Sequence, residues 1–132
     1  MFDLDERLAA DTVEVASMAL SRVLLMRDAR YPWLTLVPQR QGLVEIGDLP
    51  REDRLRLSDE IDLAARALTE LYAPDKINIG ALGNIVSQLH VHVVARTAGD
   101  PAWPGPVWGH SPAVAYEPEA LKGRVDEIAA AL

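Results

Sequence analysis

Two of the chain's three histidines, His90 and His92, stand two positions apart in the run Gln88-Leu89-His90-Val91-His92-Val93-Val94-Ala95-Arg96. Alternation of polar and apolar residues reads as a β-strand, in which residues i and i+2 face the same side, roughly 6.5–7 Å apart at Cα. Gln88, His90 and His92 then form one polar row. Leu89, Val91, Val93 and Ala95 form the apolar row behind it. Imidazole, with an unperturbed pKa of about 6.5, is the side chain that can serve as a neutral nucleophile or a proton donor near neutral pH. Two adjacent imidazoles resist being charged together, so one stays neutral while the other holds a proton. That division suits displacement at phosphorus: one ring attacks in line, and its neighbour and nearby N–H groups stabilise the equatorial oxygens. The same spacing is open to two other readings. The pair can be polar strand residues with no role, or two nitrogen ligands of a zinc ion. A zinc site needs a third ligand, and His110 is the only other histidine.

Such a row needs a sheet behind it and elements to aim it. Residues 19–26 (ALSRVLLM) and 33–37 (WLTLV) read as strands joined by the turn-forming RDARYP, with Pro38 ending the second. Before them, FDLDERLAADT reads as a helical or irregular lead-in. The clearest helix lies in GDLPREDRLRLSDEIDLAARALTELYAP. Asp48 is the expected N-cap, Pro50 suits the first turn and Pro74 closes it. Leu57, Ile61, Ala64, Ala65, Leu68, Leu71 and Tyr72 recur at three- and four-residue spacing, so this helix packs on a sheet. Residues 76–82 (KINIGAL) form a further strand. A turn over GNIVS joins it to the histidine strand, 88–96, and so short a connection predicts antiparallel pairing. The Pro/Gly-rich GDPAWPGPVWGHSP is irregular, and PEALKGRVDEIAAAL is a C-terminal helix. The class is α+β: a mainly antiparallel sheet of about five strands, one long helix and a shorter C-terminal one.

At 132 residues the chain suits one domain, spanning 1–132. With no cysteine it has no disulfide framework, thiolate metal site or cysteine nucleophile. The acidic N-terminus lacks the basic-then-apolar plan of a signal peptide, and no apolar run is long enough to span a bilayer. A cytoplasmic protein is expected. The formal net charge of −7 argues against nucleic acid or an anionic membrane as partner. A small anionic ligand remains compatible, because clustered backbone N–H groups bind phosphate even in an unfavourable global field.

QLHVHVV resembles the histidine-triad (HIT) signature His-φ-His-φ-His-φ-φ, with φ apolar. Its last two histidines and all four apolar positions match, and Gln88 takes the place of the first histidine. LLMRDARYPWLTLVPQR resembles the family's first hairpin, the LP-then-helix segment matches, and KINIGALGN resembles the strand and glycine turn before the motif. The likeness runs from about residue 19 to 108. It implies a nucleotide hydrolase or nucleotidyl transferase that needs no metal or cofactor and forms a two-fold homodimer. His90 matches the nucleophile that forms a nucleotidyl-histidine, and His92 the last histidine, at the phosphate. Asp28 matches the acidic residue that binds ribose hydroxyls, and Asn78 an asparagine near the phosphate. Gly83 and Asn84 match the phosphate-approaching turn. Trp103 lies in the aromatic, proline-rich stretch after the motif, close to the site. Gln41 stands about where many members place a further histidine. Substrates of the type of a dinucleoside polyphosphate or an adenosine 5′-phosphoramidate follow from the likeness. Gln88 and Gln41 keep hydrogen-bonding ability but cannot shuttle a proton. They predict slower hydrolysis, a leaving group needing little protonation, or a nucleotide-sensing module with negligible turnover. A metal hydrolase using His90, His92 and His110 is the remaining alternative.

Overall fold

The computed structural model describes residues 1–132. In chain order the elements are α1 (Glu6–Asp11), β1 (Thr12–Ser17), β2 (Ser21–Met26), β3 (Trp33–Pro38), a 3-10 turn (Ile46–Asp48), α2 (Arg51–Tyr72), β4 (Lys76–Gly80), β5 (Val91–Arg96) and α3 (Pro118–Ala131). The strands form one antiparallel sheet in the order β1-β2-β3-β5-β4. This is the expected α+β architecture.

The apolar stripe of α2 decides where the main core sits. Ala64 and Leu68 pack with Val23, Leu25, Leu34, Leu36, Val93 and Ala95, and Ile128 of α3 completes the cluster. Leu57 of α2 meets Val91 and Leu89 in a second cluster. The apolar row of the histidine strand therefore packs on the long helix, as its alternation predicts. Glu60 stands among these apolar residues, also buried. Its two carboxylate oxygens accept from the backbone N–H of Leu20 (2.8 Å) and Ser21 (2.9 Å). The helix is thereby tied to the turn between β1 and β2.

The opposite face of the sheet is covered too. Leu8 of α1 packs with Leu24 and Val37, with Phe2 and Leu4 beside them. The irregular segment after β5 places Ala102 and Val107 over Tyr31, Trp33 and Val94. β3 and β5 are consequently buried at every position. That second layer puts His92 in the interior.

Three elements differ from the sequence expectation. The lead-in forms the short helix α1, in line with its reading, but an unexpected edge strand, β1, follows it, whose Thr12, Val13 and Val15 carry the β-branched bias of a strand. β4 ends at Gly80 and β5 starts at Val91. The connection is thus ten residues long, and Gln88 and His90 lie ahead of the strand. Here the Leu89 N–H donates to the Leu43 carbonyl (3.0 Å), which draws the chain away from β4. Asp48 is not the N-cap of α2. Its carboxylate accepts from the N–H groups of Val44 (3.1 Å) and Glu45 (2.8 Å), closing the 3-10 turn, and Pro50 stands at the cap.

Candidate functional site

His92 is placed by β5, between Thr35 of β3 on one side and Gly80 of β4 on the other. Its ring meets two indoles, Trp33 at 5.6 Å and Trp108 at 5.5 Å between centroids. Trp33 Nε1–H donates to His92 Nδ1 at 2.9 Å, and the Thr35 hydroxyl lies 3.3 Å from the same nitrogen. An indole N–H can only donate. Nδ1 is therefore the lone-pair nitrogen, and in the neutral ring the proton sits on Nε2. Burial, with His90 nearby adding to it, pushes the His92 imidazole down to about 4. It is neutral at physiological pH and presents an N–H.

His90 has the reverse arrangement. Its Nδ1 lies 2.6 Å from the backbone carbonyl of Gln88. A carbonyl only accepts, so Nδ1 carries the proton and, in the neutral ring, Nε2 carries the lone pair. The two rings stand edge to face with centroids 5.0 Å apart. In their neutral forms the His90 ring presents a nucleophilic nitrogen and the His92 ring a hydrogen-bond donor.

Both rings line a cleft of about 730 Å³. Its walls are α1 (Arg7, Leu8, Asp11), the loop 82–86 with Gly83 and Asn84, and the segment Trp108–Pro112 apart from His110. Gly83 adopts φ +72, a left-handed conformation that a side chain would strain. Gly80 is needed for a different reason. A Cβ there would lie 3.0 Å from the Trp108 ring, so its absence lets that indole close over His92.

The structure brings His90, His92, Gly83 and Asn84 together in this cleft; Gln88 lines a second recess that it shares with His90 and Gly83, and the remaining expected residues lie outside the histidine cleft. Gln88 is turned towards the N-terminal segment: its Oε1 accepts from the Asp5 N–H and its Nε2 donates to the Asp3 carbonyl, both at 2.8 Å. The expected polar row thus breaks at its first member. Asp28 borders an adjoining recess of about 260 Å³ and is absent from the histidine cleft. Its carboxylate accepts from Arg30 Nε (3.0 Å), Arg30 Nη2 (2.9 Å) and the backbone of Arg30 and Val114. Those bonds outweigh its burial and hold it below the usual carboxylate range. Asn78 accepts from Arg96 at 2.9 Å, inside a buried Arg96–Asp100 pair, and does not line the cleft. Gln41 is exposed and faces the Met1 amino group. Trp103, 37% exposed, stacks on Arg96; Trp108 is the tryptophan of this segment that reaches the histidines. His110 is bound to the Ser111 hydroxyl, away from the pair, and no cluster of three metal-ligating side chains forms.

Trp33, Thr35, Trp108 and the α1 wall were not singled out by sequence. The lone Thr35 within WLTLV was the available sign, since a hydroxyl in a buried strand needs a polar partner. The two tryptophans look like ordinary core residues until β3 and the segment after β5 converge on His92.

The depressed His92 value has a consequence for stability. The unfolded chain takes up this proton below about pH 6.5, and the folded chain only near pH 4. Stability from this group is complete above pH 6.5 and is lost as the pH falls towards 4. Urea denaturation should show a loss of about 2 kcal/mol between pH 7.5 and pH 5 from this residue. His92→Asn should flatten that slope; an unchanged slope would mean that His92 titrates normally.

The model of the HIT domain matches residues 7–99. Among curated proteins none matches the sequence. Solved structures do. A histidine triad protein from Sinorhizobium meliloti 1021 is 46% identical, with a TM-score of 0.97 over 99% of this chain and 97% of that one. One from Marinobacter aquaeolei VT8 is 46% identical, with a TM-score of 0.97 over 100% and 96%. One from Bradyrhizobium japonicum is 45% identical, with a TM-score of 0.94 over 96% and 95%. The likeness covers the whole fold as well as the motif strand, and the chain belongs to the HIT domain family.

Proposed function

We propose that the protein transfers a nucleoside monophosphate group from a phosphoanhydride or phosphoramidate to water through a nucleotidyl-His90 intermediate. The observation that carries this reading is the opposed proton placement on the two rings. His90 Nε2 attacks the α-phosphorus and forms an N–P bond. The bridging P–O or P–N bond breaks, and its electron pair leaves with the departing atom, which in the P–N case takes a proton from the solvent. The His90 Nδ1–H stays on the Gln88 carbonyl, which steadies the positive charge gained by the ring. His92 Nε2–H and the loop around Gly83 and Asn84 hold the phosphoryl oxygens. Water then attacks phosphorus and gives up a proton to the solvent, the N–P electron pair returns to Nε2, and the nucleoside monophosphate departs. Gln88 braces the N-terminal segment and holds the carbonyl that orients His90. Following the family, a two-fold homodimer is part of this proposal.

Mass spectrometry after brief acid quenching with diadenosine polyphosphate or adenosine 5′-phosphoramidate tests the intermediate. Wild type should gain the mass of one nucleotidyl group, and His90→Ala should gain none. Nucleotide binding by calorimetry without any adduct or turnover would replace the hydrolase by a sensing module. Gln88, in the place of the motif's first histidine, and Gln41, about where many members have a further one, keep that second reading in view.

A further inference from the structure

The cleft has one positively charged wall residue whose head group is not engaged by the protein. Arg7 lies on α1 and lines the cleft together with His90 and His92. Its backbone is well anchored. The Arg7 N–H donates to the Asp5 carboxylate at 2.8 Å, Leu8 beside it is buried, and the Gln88 amide grips residues 3 and 5 from the histidine side. Its guanidinium has neither a hydrogen bond nor an ion pair, although most arginines of the chain are bound to a carboxylate or carbonyl. Asp11, one turn further along α1, is the only acidic side chain on the same wall and makes no ion pair with Arg7.

The proton inventory of the cleft points the same way. His92 Nδ1 is occupied by the Trp33 N–H, so a second proton there would set two N–H groups against each other. His92 thus acts as a neutral hydrogen-bond donor and is not equipped to give up a proton. Gln88 has no acidic proton to transfer, and its amide is held by the backbone of Asp3 and Asp5. An amine leaving group must be protonated to depart. A phosphate chain departs as an anion and asks for a cation instead.

Resting on the nucleotidyl-transfer reading above, we infer that the natural leaving group is a phosphate chain and that Arg7 binds it. A dinucleoside polyphosphate places its β- and further phosphates beyond the scissile P–O bond, where a guanidinium from the α1 wall can pair with them. The bond formed is His90 Nε2–P. The bond broken is P–O, and the electron pair stays on the departing phosphate, whose charge Arg7 balances.

The experiment compares kcat/KM for diadenosine polyphosphate and for adenosine 5′-phosphoramidate in wild type, Arg7→Gln, Arg7→Lys and Arg66→Gln. Arg66 is an exposed α2 residue paired with Asp62, and its substitution makes the same change in net charge away from the cleft. Wild type should prefer the polyphosphate. Arg7→Gln should reduce the polyphosphate-to-phosphoramidate ratio by about 10-fold, Arg7→Lys should restore part of it, and Arg66→Gln should match wild type. Added salt should erode the ratio in wild type more than in Arg7→Gln. Equal effects of Arg7→Gln on both substrates, no effect, or a wild-type preference for the phosphoramidate would overturn the inference while leaving nucleotidyl transfer standing. Absence of wild-type turnover on both substrates would remove the underlying reading, and this inference with it.

Discussion

His90→Gly should cost about 10⁴-fold or more in turnover of the preferred nucleotide substrate, the scale seen when a covalent nucleophile is removed. No second imidazole in the cleft can replace it, because His92 presents its protonated nitrogen and has its lone pair on Trp33. The fold should survive. His90 lies ahead of β5, and the carbonyl of Gln88 can take up a water in place of the ring N–H. Added imidazole should restore part of the rate, since a free ring can enter the vacated space and attack the same phosphorus. Steady-state kinetics with circular dichroism to check the fold would measure both effects. A His90→Gly protein that keeps a tenth of the wild-type rate would exclude a covalent role for this residue and return the mechanism to direct attack by water. By comparison, His92→Asn should retain the nucleophile and lose about 10²-fold, the contribution of one donor to the developing charge.

The second large effect is on stability. Glu60→Ala should destabilise the protein by about 3 kcal/mol, because it removes two charge-assisted hydrogen bonds and leaves the buried N–H groups of Leu20 and Ser21 without acceptors. Leu20 and Ser21 are both fully buried, so water does not readily substitute. Urea denaturation should show a lower midpoint with an unchanged slope, and the melting temperature should fall by about 10 °C. Glu60→Gln should lie between, since the amide oxygen can accept one bond while its NH₂ faces the other donor. A loss below about 0.5 kcal/mol for Glu60→Ala would show that the helix is held to the sheet by apolar packing alone.

These two residues show where sequence reading is strong and where it stops. The histidine strand was readable because period-two alternation and the imidazole type carry information locally. Val91, Val93 and Ala95 had to face an apolar partner, and His90 and His92 had to face away from it. The long helix was readable for the same kind of reason, as its apolar positions recur at helical spacing. Glu60 was not, because nothing near position 60 reveals that residues 20 and 21 present two N–H groups to it. The edge strand β1 was obscured by the helical α1 that runs directly into it.

The site divides in the same way. Sequence by itself determined the chemistry available: two imidazoles at alternate positions, a glycine turn before them, no thiol, and a glutamine two positions ahead of the first imidazole. Tertiary structure decided how that chemistry is set. Trp33 and the Gln88 carbonyl assign the protons on the two rings, and those bonds depend on strand register and on the loop ahead of β5. Gln88, Asp28, Asn78, Gln41 and Trp103 occupy expected positions along the chain but point to other partners, because a side chain takes the nearest donor or charge in space. Trp108 meets the His92 ring, and Arg7 lines the same cleft, only because the second face of the sheet is covered. Residue type and local period are properties of neighbours in sequence; proton position, burial and free charge are properties of neighbours in space.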